Sequence, residues 1–270
     1  AKAELLRRLH DRSSLLVLPN AWDAASARVL EQTGFPALAT TSSGVAAALG
    51  YRDGQQMSRE LMLAALERIT RVVTCPVTAD IEAGYGDSLA EVVQTVRAVI
   101  ATGAVGINIE DSVKGGAPAL ADLADQVKLI QALRKLADEL TIPFVINARV
   151  DVFLLDIGEP ESRFEHAVRR ANAYLQAGAD CVYPIGVLPR ALIAELVKAI
   201  DGPINIMGGP PAPSLPELAQ LGVARVSLAG GLLRATLGHL QTIARELLTH
   251  GTYTSLAAET LSSADLRTLF

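Results

Sequence analysis

The stretch Val77-Thr78-Ala79-Asp80-Ile81-Glu82-Ala83-Gly84-Tyr85-Gly86 begins apolar, turns acidic and ends in a glycine-rich break. Read as a buried strand, it carries Asp80 and Glu82 to its C-terminal end and then stops. Further on, Val105-Gly106-Ile107-Asn108-Ile109 ends in Glu110-Asp111 in the same way. Acids at the ends of two successive strands point to a divalent-cation site at the mouth of a parallel β structure. The bland alternative for either pair is loop solvation or helix capping.

Working outward, short apolar runs alternate with amphipathic helical segments along the whole chain. Strands are expected at 14–18, 36–40, 76–80, 105–109, 143–147, 180–183, 203–206 and 224–228. Helices are expected at 22–33, 56–73, 88–102, 122–139, 161–177, 188–200, 214–221 and 231–248, after a leading helix at 2–11. Parallel strands joined by right-handed helical crossovers, repeated eight times, predict one α/β domain over 1–270, a closed (β/α)8 TIM-type barrel. The leading helix (within 1–12) and a C-terminal helical segment (within 231–270) are additions to it. Gly34, Gly103, Gly178 and Gly222 fall between a helix and the next strand, where positive φ ends a helix at little cost. After the first strand stands Pro19-Asn20-Ala21-Trp22-Asp23 rather than a glycine-rich phosphate turn, which disfavours a dinucleotide fold.

Composition narrows the function classes. The chain has 270 residues, of which 50% are hydrophobic and only 4% aromatic, the aliphatic filling typical of a helix-wrapped parallel sheet. A formal charge of −5 with no Lys/Arg run argues against nucleic acid. No apolar run approaches the ~20 residues that span a bilayer, so no membrane partner is expected. With a charged, helical start rather than a signal-like one, a cytoplasmic location is expected. Cys75 and Cys181 read as small buried residues.

The strand ends converge on one mouth. They bring Ser42 and Ser43, Asp53 in the loop beyond, Asp80 and Glu82, Glu110 and Asp111, Asn147-Ala148-Arg149-Val150-Asp151, and Asn205. Carboxylates without a histidine or cysteine cluster select a hard ion, Mg²⁺ first and Mn²⁺ second. Arg149 is suited to a two-pronged grip on a carboxylate or phosphoryl oxygen, or to a structural pair with Asp151. Ser42, Ser43 and Gly44 offer hydroxyls and backbone N–H groups to an anion, although Arg52-Asp53-Gly54 also suits a surface turn. His10, His166, His239 and His250 lie in helices or near the C-terminus, away from strand ends. The connections 41–55 and 111–121 are long enough to close over a ligand.

These residues together resemble the isocitrate lyase/phosphoenolpyruvate mutase superfamily. The resemblance is carried by Pro19–Arg28, the Ser-Gly run at 41–53, Ala79–Gly86, Asn108–Asp111, Asn147-Ala148-Arg149 and Gly178-Ala179-Asp180. It implies a metal-dependent enzyme that makes or breaks C–C or C–P bonds of an oxo acid through an enolate. Asp80 would be the main metal ligand, with Glu82, Glu110 and Asp53 completing the acidic shell. Ser42, Ser43 and Gly44 would hold the substrate carboxylate, with Arg149 and Asn205 beside it. The chain departs from that pattern in its lid. Val113-Lys114-Gly115-Gly116-Ala117-Pro118 has neither the cysteine-histidine motif of the lyases nor the Asn-Ser of the mutases. Tyr183-Pro184-Ile185-Gly186 is apolar where relatives often place Glu or His. The expectation is a lyase of a small 2-oxo or 2-hydroxy carboxylic acid, as in the oxaloacetate decarboxylase branch. C–P chemistry or a non-catalytic carboxylate binder are the alternatives. Lys114, Tyr51 and Tyr85 are the candidates for moving a proton. Resemblance also implies a homodimer or homotetramer that exchanges its last helices.

Overall fold

Pro19 cannot donate a ladder hydrogen bond, and it splits the first strand into two pieces that face different neighbours. β1 (Leu16–Leu18) pairs in parallel with the last strand, and β2 (Asn20–Ala21) with the next one in sequence. The computed structural model describes residues 1–11, 14–258 and 260–270. Its elements begin with α1 (Lys2–Arg8), β1, β2, α2 (Ala24–Gln32), β3 (Leu38–Thr40), α3 (Ser42–Ala48), α4 (Arg59–Val72), β4 (Val77–Asp80) and α5 (Leu89–Ala101). There follow β5 (Gly106–Glu110), α6 (Leu123–Glu139), β6 (Val145–Val150), α7 (Pro160–Gln176), β7 (Cys181–Pro184) and α8 (Arg190–Ala199). β8 (Asn205–Met207), α9 (Leu215–Gln220), β9 (Arg225–Ser227), α10 (Gly231–Thr249), α11 (Thr254–Ala258) and α12 (Ser263–Thr268) complete the chain.

Every strand pairing is parallel. Six strands run in the order β2-β3-β4-β5-β6-β7 and three in the order β1-β9-β8. The two groups meet at two seams. One is the chain itself at Pro19. The other is a parallel bridge between Val182 and Ile204, where the Val182 N–H also donates to the Pro203 carbonyl at 3.0 Å. With β1 and β2 taken as one strand, this is the eight-strand α/β arrangement of the TIM barrel.

Strand alternation sorts the side chains. Val77, Ala79, Ile107, Ile109, Ile146, Ala148 and Val150 enter one large core cluster with Ile69, Val96, Ile130, Leu133 and Tyr174 of the surrounding helices. The residues between them, Asp80, Asn108, Glu110, Asn147 and Arg149, therefore face inward, and register sets Glu110 opposite Arg149. A second cluster, Leu6, Leu16, Leu18, Ala37, Ala39 and Val145, fills the barrel at the ends where strands begin. Leu6 comes from α1, so the leading helix closes the bottom.

Several expectations need correction. The loop expected at 41–55 contains α3, because Thr41 caps Ser42–Ala48 by accepting from the Gly44 N–H. The leading helix ends at Arg8, and Arg12 lies outside the described residues. Within the C-terminal helical segment expected over 231–270, α10 is followed by two short helices, α11 and α12, and Glu259 between them lies outside the described residues. His10 is buried, with its Nδ1 2.7 Å from the Leu6 carbonyl and its Nε2 3.4 Å from the fully buried Arg225.

Because Leu6 is wholly buried in the bottom cluster, Leu6→Ala leaves a cavity there. A loss of about 3 kcal/mol is expected in chemical denaturation, whereas a change below about 1 kcal/mol would mean that α1 does not close the barrel.

Candidate active site

Asp80 ends β4, and its neighbours on β3 and α3 hold it. Its own N–H donates to Thr40 Oγ1 at 2.9 Å, and the Ser42 N–H donates to Asp80 Oδ2 at 3.0 Å. Burial pushes the Asp80 carboxyl above its ordinary range, Arg149 pulling the other way. Among the described residues no cationic side chain forms an ion pair with it.

Beyond Asp80 the backbone turns sharply. Glu82 and Tyr85 adopt φ of 51° and 53°, a left-handed conformation that costs a non-glycine residue about 1 kcal/mol or more. Gly84 between them is required, since a Cβ there would lie 2.4 Å from Val92. The strained turn folds Glu82 back into the mouth, where the Tyr85 hydroxyl donates to its Oε1 at 3.0 Å and the Gln55 N–H donates to its Oε2 at 2.8 Å. Burial, with the charges of Asp53 and Asp80, raises the Glu82 carboxyl to about 7.

Glu110 ends β5 and is far better compensated. Arg149 Nη1 lies 2.7 Å from its Oε2, Ser112 Oγ donates to its Oε1 at 2.5 Å, and Lys114 Nζ pairs with the same oxygen. Burial works to raise this carboxyl, but Arg149 and Lys114 outweigh it and hold it below the ordinary range. Lys114 Nζ also stands 3.5 Å from Glu82 Oε2. It reaches there from a narrow hairpin, in which Ser112 bridges Leu120 and the Val113 N–H donates to the Ala119 carbonyl at 2.9 Å. Arg149 is fully engaged, since its Nε and Nη2 also donate to Asp151 at 2.6 and 2.9 Å. Of the two roles foreseen for Arg149, the structure shows the pair with Asp151, to which Glu110 is added as a second carboxylate partner.

The other candidates divide. Ser43 shares a 3.0 Å hydrogen bond with Thr41, and Gly44 is required because a Cβ would lie 2.4 Å from Thr41 and 3.0 Å from Trp22. Asp53 is exposed but close enough to act on Glu82. Tyr51 is 42% exposed and is not gathered into the mouth. Asn205 is sealed beneath it, donating to Ser227 Oγ at 3.0 Å. Asp111 does not cap the next segment: it is fully buried and accepts from the Asp151 N–H, Tyr174 OH and Arg170 Nη1 at 2.9, 2.7 and 3.1 Å. Arg170 and Tyr174 were not foreseen. Their spacing of four on α7 puts them on one face, but nothing local links that face to Asp111.

Among the described residues no three His, Cys, Asp or Glu side chains form a ready-made metal cage. What the mouth offers is Asp80 without a cation, the strained Glu82 beside it and Asp53 at the rim. That set fits a hard ion such as Mg²⁺, which binds through one or two carboxylates and keeps several waters. Glu110, shared by Arg149, Lys114 and Ser112, is the least available of the four acids.

The profile of the family described as phosphoenolpyruvate phosphomutase matches residues 6–248, and the chain belongs to this family. The 2-methylisocitrate lyase of Escherichia coli (strain K12) is 31% identical over 212 residues, 75% of this chain and 69% of that protein. The oxaloacetate decarboxylase of Paraburkholderia xenovorans (strain LB400) is 30% identical over 232 residues, 82% and 73% of the two chains. A crystal structure from Burkholderia cenocepacia J2315, assigned provisionally to the lyases or mutases, superposes with a TM-score of 0.91 at 36% identity, covering 99% and 94%. The protein is accordingly an enzyme of the isocitrate lyase/phosphoenolpyruvate mutase superfamily.

The raised Glu82 carboxyl has a measurable sign. Its folded-state pKa lies above the unfolded one, so the folded chain holds an extra proton between about 4.5 and about 7. Stability from this group falls as pH rises through that window, and above it the ionised carboxylate costs roughly 3 kcal/mol. Metal-free Glu82→Gln is expected to melt higher than the parent above pH 7, with the gap closing on acidification; a gap that widens in acid would contradict this.

Proposed function

We propose that the chain is a Mg²⁺-dependent lyase that cleaves a C–C bond in a small 2-oxo or 2-hydroxy carboxylic acid, by decarboxylation or aldol-type cleavage. The observation that carries this reading is Asp80, a mouth carboxylate disfavoured by burial and left without a cation. The two curated relatives support it, since both are named for breaking such acids.

Asp80 would hold the ion, with Glu82 and Asp53 reaching it through water. A bound divalent ion supplies Lewis-acid stabilisation of the negative charge that develops as the bond breaks. Arg149 adds fixed positive charge on the Glu110 side of the mouth. Ser43 presents a hydroxyl to the substrate carboxylate, whereas the Ser42 N–H is already spent on Asp80. Two protonated groups stand inside the mouth, the Tyr85 hydroxyl on Glu82 and the Lys114 ammonium. Burial alone lowers Lys114, but Glu110 outweighs it and keeps the ammonium charged. Lys114 therefore closes the lid over the acids in place of the missing cysteine motif. Because the matching profile is that of a phosphomutase, C–P cleavage is the second reading, and phosphate release from phosphonopyruvate would distinguish it.

The reading extends to assembly and location. α10 has no buried residue over 19 positions, and Leu237, Leu240 and Leu248 on it are exposed, the last at 87%. Such a face supports a homodimer or homotetramer in which a second copy covers it. Among the described residues no helix is long and apolar enough to cross a membrane. Two free thiols, Cys75 and Cys181, agree with a cytoplasmic location.

Turnover of oxaloacetate and of short 2-oxo and 2-hydroxy acids, with and without Mg²⁺, tests the activity. Asp80→Ala should lose Mg²⁺-dependent thermal stabilisation and at least about 100-fold in turnover; unchanged values for both would refute the assignment. Light scattering should give two or four times the 28.4 kDa chain mass, and a monomer would contradict the assembly.

A further inference from the structure

At the tip of the lid hairpin Val113 and residues 115–118 are exposed, while Lys114 among them turns inward. A Cβ added at Gly115 or Gly116 would meet nothing within 4 Å, so no barrel surface backs the tip there. A cavity of about 350 Å³ reaches the hairpin's root, with Glu110, Ser112, Ala121 and Gln126 in its wall. The hairpin is tied to itself by the Val113 and Ala121 N–H groups, which donate to the Ala119 and Asp111 carbonyls at 2.9 and 2.8 Å. Among the described residues, the polar contact of the tip with the barrel is that of the Lys114 ammonium. It pairs with Glu110 Oε1 and stands 3.5 Å from Glu82 Oε2.

Those are acids that a divalent ion on Asp80 also needs. Glu82 has little to spare, since its Oε1 accepts from the Tyr85 hydroxyl and its Oε2 from the Gln55 N–H. The ammonium therefore stands where a water of a hard cation would reach Glu82. A second cation brought to Asp80 repels it, and charges in so buried a site are screened far less than in water. Each cation weakens the other's hold, and the effect is reciprocal. The exchange is uneven. Asp80 forms no ion pair with Lys114, whereas Glu110 keeps Arg149 and Ser112 when the ammonium leaves.

We propose that Lys114 is a built-in counter-cation that latches the lid over the acids, and that the divalent ion displaces it and so frees the hairpin. This rests on the reading of the mouth as a divalent-cation site and adds a regulation of that site. The lid is closed while the acids lack the ion and released once they hold it. A tip with two glycines, and a cavity at its root, gives the hairpin room to move.

Mn²⁺ titration followed by electron paramagnetic resonance, with hydrogen exchange over 113–119 followed by mass spectrometry, tests the latch. Exchange in the parent should quicken when Mn²⁺ is added. Lys114→Met should bind Mn²⁺ at least about 5-fold more tightly, the lower end of ordinary coupling between two sites, and should exchange fast with or without the ion. Lys114→Arg, which keeps the charge, should bind Mn²⁺ more weakly than Lys114→Met. A smaller gain in Lys114→Met, or a loss, would overturn the inference and leave the cation site standing. Exchange that slows in the parent on adding Mn²⁺ would overturn it too, because the lid would then close on the ion. A parent that binds no Mn²⁺, or whose binding survives Asp80→Ala, would remove the reading of the mouth and the latch with it.

Discussion

Everything at the mouth depends on the clamp that Arg149 makes with Glu110 and Asp151. Its three contacts of 2.6 to 2.9 Å tie the ends of β5 and β6 together where burial would otherwise drive the carboxylates to neutrality. Even so clamped, Asp151 is pushed up to about 6 by burial. A buried pair of this kind is not a source of stability on its own, because desolvation offsets the Coulomb attraction. Its effect is positional: it neutralises Glu110 and leaves Asp80, one strand away, as an acid without a cationic partner.

The surrounding structure serves that asymmetry. Strand alternation aims Asp80, Glu110 and Arg149 inward while the same strands feed Ile107, Ile109, Ala148 and Val150 to the outer core. Behind the clamp, Asp111 is satisfied by Arg170, Tyr174 and the Asp151 backbone, which links the rim to α7. In front of it, Lys114 ties the lid hairpin to Glu82 and Glu110. The left-handed turn at Glu82 is the strained element, held by Gln55 from one loop and Tyr85 from another. Strain so tightly held at a mouth is a mark of function rather than of folding.

Much of this was legible in the residue pattern, for identifiable reasons. Asp80 and Glu110 stood out because an acid closing an apolar run has no reason to be there in a buried strand unless the strand ends at a polar site. Lys114 stood out because its loop was too long for a simple crossover. α3 was missed because Ser-Ser-Gly carries little helical propensity at its start, where Thr41 caps it through the Gly44 N–H. The Asp111–Arg170–Tyr174 network was missed because its members lie far apart in sequence. The same is true of His10 against Arg225 beneath the mouth. Pairings of that kind are set by barrel closure and leave no local periodicity.

The central claim is that the uncompensated acid is where the cation goes. A crystal soaked with Mn²⁺ and oxalate, measured at the manganese absorption edge, tests this directly. The account predicts one strong anomalous peak within coordination distance of an Asp80 carboxylate oxygen, with Glu82 and Asp53 facing it across waters. A peak seated instead between Glu110 and Asp151, or none at the mouth, would contradict it.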